Sequence, residues 1–129
     1  MDRQEAPGVH QEIAIEIKQL RARRPDIAGV LVATVDGLLV AHDTGGLPAE
    51  TIAAMAAAQL GLGHQLSVTA GRGAFQECVT RSGDGCLAVF AAGTVGLLAV
   101  LGGPDFNVGL LYRQARPTAM RLGALLALR

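Results

Sequence analysis

The residues of this 129-residue chain that could do covalent chemistry are few, and their spacing keeps them apart. Cys78 and Cys86 are its only cysteines. If Gly83-Asp84 forms a two-residue turn, Arg81 pairs with Cys86 and Cys78 points to the other sheet face. Under that register neither a disulfide nor a shared metal site can form. No CxxC or HxxxH spacing supports zinc. His10, His42 and His64 fall on a helix start, a strand end and a second helix, and nothing gathers them around a nucleophile. Ser67 and Ser82 lack a GxSxG context. The carboxylates form no spaced pair that could divide acid and base roles. Lys18, the only lysine, lies in an amphipathic stretch, which excludes a GxxxxGK[ST] phosphate loop. Gly61-Leu62-Gly63 and Gly71-Arg72-Gly73 neither follow a strand nor open a helix, as a dinucleotide loop requires. Arg72, Arg81, Arg113, Arg116 and Arg121 could supply an arginine finger to another protein's active site, although surface solvation is the simpler account of them. The expectation is a chain with no catalytic, cofactor-binding or metal-binding residue of its own. Such a protein acts by binding other proteins.

Charge and hydropathy narrow the partners. Lysine plus arginine and aspartate plus glutamate number 11 each, so no general attraction to nucleic acid or an anionic membrane is expected. No uncharged apolar run reaches the roughly 18 residues of a membrane span. Met1–Pro7 carries Asp2, Arg3 and Glu5 with no apolar stretch after it, so no secretory signal is expected. The default location is the cytoplasm, with reduced thiols. Half of the residues are hydrophobic, which suits one domain with a substantial core. Phe75, Phe90, Phe106 and Tyr112 are the only aromatics, so aliphatic side chains and alanine must build that core.

The elements follow from periodicity. Residues 1–8 read as a polar tail, and residues 9–129 as the domain. Val9, Ile13, Ile17 and Leu20 recur at helical spacing, and Pro25 stops that first helix. Ile27–Thr34 and Leu38–His42 flank Asp36-Gly37, a strong hairpin signal. Pro48 opens a second helix that runs to about Val68. Strands follow at Phe75–Arg81, Cys86–Ala91 and Val95–Leu101, joined by tight turns. Gly102-Gly103-Pro104-Asp105 starts the last helix, with Pro104 near its first position. Pro117 interrupts that helix, so a kink is expected near Arg113–Arg116. The order is αββαβββα. The fold class is α+β, with a five-stranded antiparallel sheet whose neighbouring strands are joined by hairpins and whose faces carry helices.

The second helix carries the functional signal. Ile52, Met55, Leu62 and Leu66 form one apolar stripe, interrupted by Gln59, which should face the sheet. Ala53, Ala57 and Gly61 lie opposite, flanked by Leu60 and His64. A helix apolar all round must be buried all round, and one small sheet covers one side only. The small-residue side therefore reads as a homodimer seam that Ala57→Glu would split. The weaker alternative is that the alanines are exposed for their helix propensity.

These residues match a known family. Gly29-Val30-Leu31-Val32 followed by Asp36-Gly37-Leu38-Leu39-Val40-Ala41 resembles the first hairpin of the Roadblock family, named for a dynein light chain. Cys86–Leu101 followed by Phe106-Asn107-Val108-Gly109-Leu110 is similar to its last two strands and the start of its final helix. The resemblance spans about residues 9–128; Pro117 departs from it. It implies a fold related to longin and profilin-like domains, without catalytic residues. It also implies homodimers or family heterodimers in which second helices pack and third strands pair. For this chain the interface residues would be Ala53, Ala57, Leu60, Gly61, His64, Phe75, Glu77 and Val79. Bacterial members resembling it are commonly partners of a Ras-like small GTPase, and some stimulate GTP hydrolysis. In actinobacteria similar proteins are encoded beside such a GTPase and a sensor-kinase-like protein. The resemblance thus implies a non-catalytic regulator of a Ras-like GTPase, with a signalling adaptor as the alternative. Gln59, His64 and Gln65 would lie at the exposed edge of the paired helices and meet the partner. A small-molecule sensor is a third class, but no convergent polar set marks a pocket.

Overall fold

The computed structural model describes residues 8–129, so the expected polar tail lies outside the described residues except for Gly8. The elements are α1 (Val9–Arg23), β1 (Ile27–Thr34), β2 (Leu39–Asp43), α2 (Ala49–Thr69), β3 (Glu77–Ser82), β4 (Gly85–Ala92), β5 (Gly96–Gly102) and α3 (Val108–Leu126). This is the expected α+β order. All strand pairs are antiparallel, in the spatial order β2-β1-β5-β4-β3.

Turn chemistry sets the local pairings. Asp36-Gly37 reverses the chain between β1 and β2, with Gly37 at φ 91°, a conformation that favours glycine. The Thr34 hydroxyl donates to the Asp36 carboxylate, and the Leu38 amide donates to Thr34 Oγ1 at 3.0 Å. At the β3–β4 turn, Ser82 pairs with Gly85 and Arg81 with Cys86, as expected from Gly83-Asp84. One expectation fails at the centre of the sheet. β1 pairs with β5 from Ile27↔Gly102 to Thr34↔Gly96, and no hairpin joins them. A turn signal reports only neighbours in sequence, so it cannot announce this pairing.

Strand alternation divides the interior into two cores. On one face Val30, Val32, Phe90, Leu98 and Val100 meet Ile13, Ile17 and Leu20 of α1 and Leu111, Ala115 and Leu122 of α3. Phe90 and Tyr112 stack edge to face there, 6.0 Å between ring centres. On the other face Leu31, Ala33, Val89, Leu97 and Ala99 meet Ala53, Ala56 and Ala57 of α2. Because β2 and β3 are opposite edges of the sheet, the connection between them must cross it. The 21 residues of α2 make that crossing. At 1.5 Å per residue they reach about 30 Å, more than the width of five strands.

α3 begins later than its sequence suggests. Pro104 and Asp105 lie in a turn, and Asn107 caps the helix by accepting from the Leu110 amide at 2.9 Å. The reason is Phe106. Its ring packs so closely on Gly102 that a Cβ there would collide with it. The Arg24 guanidinium lies over that ring, 4.7 Å from its centre. Pro117 does not interrupt α3, which continues to Leu126. The Thr118 hydroxyl donates to the Gln114 carbonyl at 3.2 Å in that turn. Arg24 also grips the Asp26 carboxylate through Nε and Nη2, at 2.9 and 2.8 Å, and is itself 5% exposed. It thereby ties the end of α1 to the start of β1 and the approach to α3.

These contacts set the stability of three variants. The hydrogen bonds from Arg24 hold the Asp26 carboxyl below its ordinary value of 3.8. A depressed carboxyl stabilises the fold above its unfolded value and loses that contribution as pH falls through the folded one. Asp26→Asn should therefore melt below the parent protein at neutral pH and match it in strong acid, by circular dichroism. Gly123 of α3 packs against the β4–β5 turn, where an added Cβ would sit 2.5 Å from the Gly93 amide nitrogen. Gly123→Ala should cost about 1–3 kcal/mol in urea unfolding, although alanine is the better helix former. Gly109→Ala, in the exposed first turn, should be neutral or stabilising by up to about 1 kcal/mol.

Candidate protein-interaction surface

The residues with chemical potential stay apart in three dimensions. Cys86 packs on the α1/α3 side, whereas Cys78 lies beside Gln59 and Leu62 on the α2 side. His10, His42 and His64 are all exposed, and the His42 ring meets Thr44 Oγ1 at 3.1 Å. Among the described residues, no group of three or more His, Cys, Asp or Glu could hold a metal ion. Two of the five candidate arginines are tied within the chain. Arg116 makes a two-pronged bond to Glu77, 3.0 Å on each arm, and lies over Tyr112. Arg121 bonds Glu16 at 2.9 Å. Arg72, Arg81 and Arg113 are exposed.

α2 is turned the opposite way from expectation except at Ile52, which is half-buried against the sheet as expected. Ala49, Ala53, Ala56 and Ala57 are the buried residues of the helix. Met55, Leu62, Leu66 and Val68 are 60–65% exposed. The physical reason is the partner surface. The sheet offers large side chains, Leu31, Val89 and Leu97, and small alanines fit against them. The helix comes close enough that a Cβ on Gly37 would meet the Ala54 Cα at 3.2 Å. Sequence periodicity could not choose between two apolar faces, and the rule that the larger face goes inward chose wrongly.

The expected interface residues therefore divide. Ala53 and Ala57 belong to the chain's own core and cannot form a seam with another molecule. Leu60 is half-buried against the same core. Gly61 and His64 border an apolar cavity of about 450 Å³ with Val35, Phe75 and Ala91. Phe75 is half-buried against Gly63, where a Cβ would overlap its ring. Glu77 is held by Arg116, and Val79 packs on the α1/α3 core. Gln59 is half-buried and its Nε2 donates to Thr80 Oγ1, whereas His64 and Gln65 are exposed. Sequence reasoning missed Met55, Leu62, Leu66 and Thr80 as surface residues. The available signal was the spacing of Met55, Gln59, Leu62 and Leu66, a repeat of four, three and four residues suited to a narrow helix seam.

The stripe runs beside an open groove. Gln59, Leu62, Leu66, Phe75 and Cys78 line a cavity of about 430 Å³ between α2 and β3. The two free sheet edges differ. β2 has five residues and a register shift opposite Val32/Ala33. Arg21 covers its end, bonding the Asp43 carbonyl at 3.3 Å and carboxylate at 2.9 Å. Bulges and edge charges of this kind discourage strand addition. β3 is regular over six residues and carries no register shift.

The sequence of residues 14–102 matches the Roadblock/LC7 domain. The chain belongs to the Roadblock/LC7 family. Its fold is shared with solved structures of low sequence identity. An MglB described with a tetrameric arrangement superposes with a TM-score of 0.83 at 17% identity, covering 97% of this chain and 96% of that one. A Roadblock/LC7 domain from Streptomyces avermitilis gives 0.80 at 23% identity, covering 88% and 97%. The gliding protein MglB from Thermus thermophilus gives 0.79 at 21% identity, covering 93% of each chain. No curated protein sequence is significantly similar to the chain. No described helix of this Roadblock domain is long and apolar enough to cross a membrane.

The orientation of α2 in this Roadblock domain makes Ala57 a core position. Ala57→Glu should unfold or severely destabilise the monomer, by more than about 3 kcal/mol, because it buries an unpaired carboxylate. Thermal melts of Ala57→Glu against the exposed control Ala58→Glu check this, with the control staying close to the parent.

Proposed function

We propose that this Roadblock/LC7 domain acts as a homodimer that binds a Ras-like small GTPase and regulates it without supplying a catalytic residue. One observation carries the self-association. α2 presents its largest apolar side chains to solvent beside an unobstructed strand edge. Exposed Met55, Leu62, Leu66 and Val68 form a stripe of a kind that marks interaction sites. A two-fold axis would bring the same stripe and the same β3 edge of a second copy onto them, as an isologous contact requires. The tetrameric arrangement described for an MglB of the same fold supports association between copies.

The partner class rests on the family resemblance. Its bacterial members suggest a Ras-like GTPase whose switch loops are ordered by contact with the Roadblock dimer. The scattered histidines and the internal pairing of Arg116 and Arg121 favour binding over chemistry. His64 and Gln65, exposed on the second half of α2, are the proposed contact residues, together with the apolar cavity beside His64.

Sedimentation equilibrium tests the first step. The parent should be a dimer at micromolar concentration, and Leu62→Glu should be a folded monomer by circular dichroism. A monomeric parent would overturn the reading. Mixing the dimer with the GTPase encoded nearest to it, loaded with GDP or a GTP analogue, tests the second. Complex formation with altered hydrolysis is expected. Complex formation with no change of rate in either state would assign an adaptor role instead.

A further inference from the structure

Gln59 interrupts the outward apolar stripe of α2, and its amide is only half-used. Nε2 donates to Thr80 Oγ1 on β3, while Oε1 is shut off from water and meets no donor among the described residues. A buried carbonyl oxygen without a donor is costly, and a polar residue inside an apolar seam commonly sets register. Its partner, Thr80, is exposed on the free sheet edge.

Strand parity locates this pair in a two-copy assembly. Cys78 and Thr80 face α2, whereas Glu77 and Val79 face α3 and the core beneath it. For two α2 stripes to meet, both helices must lie on the same face of the joined sheet. Only registers that oppose even-numbered β3 residues to even-numbered ones satisfy that condition. The two such registers with the longest overlap of Glu77–Ser82 place Thr80 opposite the second copy's Thr80, or opposite its Cys78. The first brings both Gln59–Thr80 pairs to the axis.

We propose that Gln59 and Thr80 of two copies close a four-membered hydrogen-bond ring on the two-fold axis, and that this ring selects the register of the dimer. Each Gln59 Nε2 donates to its own Thr80 Oγ1. Each Thr80 hydroxyl donates to Oε1 of the other copy's Gln59. Each side chain in the ring then donates once and accepts once, and the oxygen that lacks a partner in one copy gains a donor. The ring requires only a partial turn about the terminal amide torsion of Gln59, which is soft, so that Oε1 opens toward the second copy while Nε2 keeps Thr80. The inference rests on the homodimer proposed above.

A double-mutant cycle on the dimer dissociation constant tests it, using Gln59→Leu, Thr80→Val and the double variant, each checked for folding by circular dichroism. The Gln59–Thr80 bond within one copy exists before and after association, so it cancels from this constant. Thr80→Val should weaken the dimer about tenfold, because it strands both Gln59 oxygens. The double variant should recover at least the parent affinity. Register is read separately by adding Ser82→Cys and oxidising mildly. With Thr80 opposite Thr80, Cys78 faces residue 82 of the second copy, and one cross-linked dimer species should form. Gln59→Leu should lower its yield. A parent that is monomeric overturns the homodimer and this ring together. A dimeric parent with an additive cycle, or with cross-linking unchanged by Gln59→Leu, overturns the ring alone.

Discussion

The pairing of β1 with β5 is the constraint on which the rest of this structure depends. It sets residues 27–34 against residues 96–102 and so joins the N-terminal hairpin to the C-terminal meander. Val30, Leu31, Val32 and Ala33 are fully buried, which requires cover on both faces of the sheet. It also sends β2 and β3 to opposite edges. The connection between those edges then has to traverse one face, and that face receives a single helix. α1 and α3 share the other. The molecule therefore has one deep core of large side chains and one shallow core under an alanine-faced helix.

That shallow core explains why α2 is apolar on two sides. The alanine side seats the helix close to the sheet. The methionine and leucine side is exposed, with no cover among the described residues. The helix is stabilised inward by fit rather than by bulk, and its bulk is left at the surface. Such a division differs from an ordinary surface helix, where charged residues would occupy the outer face. A charge there would cost little to one copy, and the homodimer proposed above accounts for its absence.

The sequence was readable wherever a signal was local. The stripe Val9, Ile13, Ile17, Leu20 located α1, and the helix buries the last three of these residues. Gly83-Asp84 fixed the β3–β4 register, which in turn separated the cysteines. Signals failed where the answer lay across the sheet. Pro104 looked like a helix start because nothing nearby reveals that Phe106 must first reach Gly102 and Arg24. The facing of α2 depended on the size of the residues it would meet, Leu31 and Leu97, far away in sequence. That α2 is apolar on both sides was legible; which side meets the sheet could be decided only once the sheet was in place.

The Arg21 contact on β2 has a consequence for how large an assembly of this chain can grow. It occupies the carbonyl and carboxylate of Asp43 at the end of one rim of the sheet, and the strand beside it is short and irregular. A sheet with two open rims polymerises, since each addition leaves a fresh rim behind. Here the rims are unlike. Two sheets fused through β3 would show only β2 at both ends, so strand addition would stop after a single step. The short, irregular β2, with Arg21 tied across its end to Asp43 and to the Ile27 carbonyl of β1, would discourage that further step, and in the homodimer proposed above the same asymmetry would guard against a fibre.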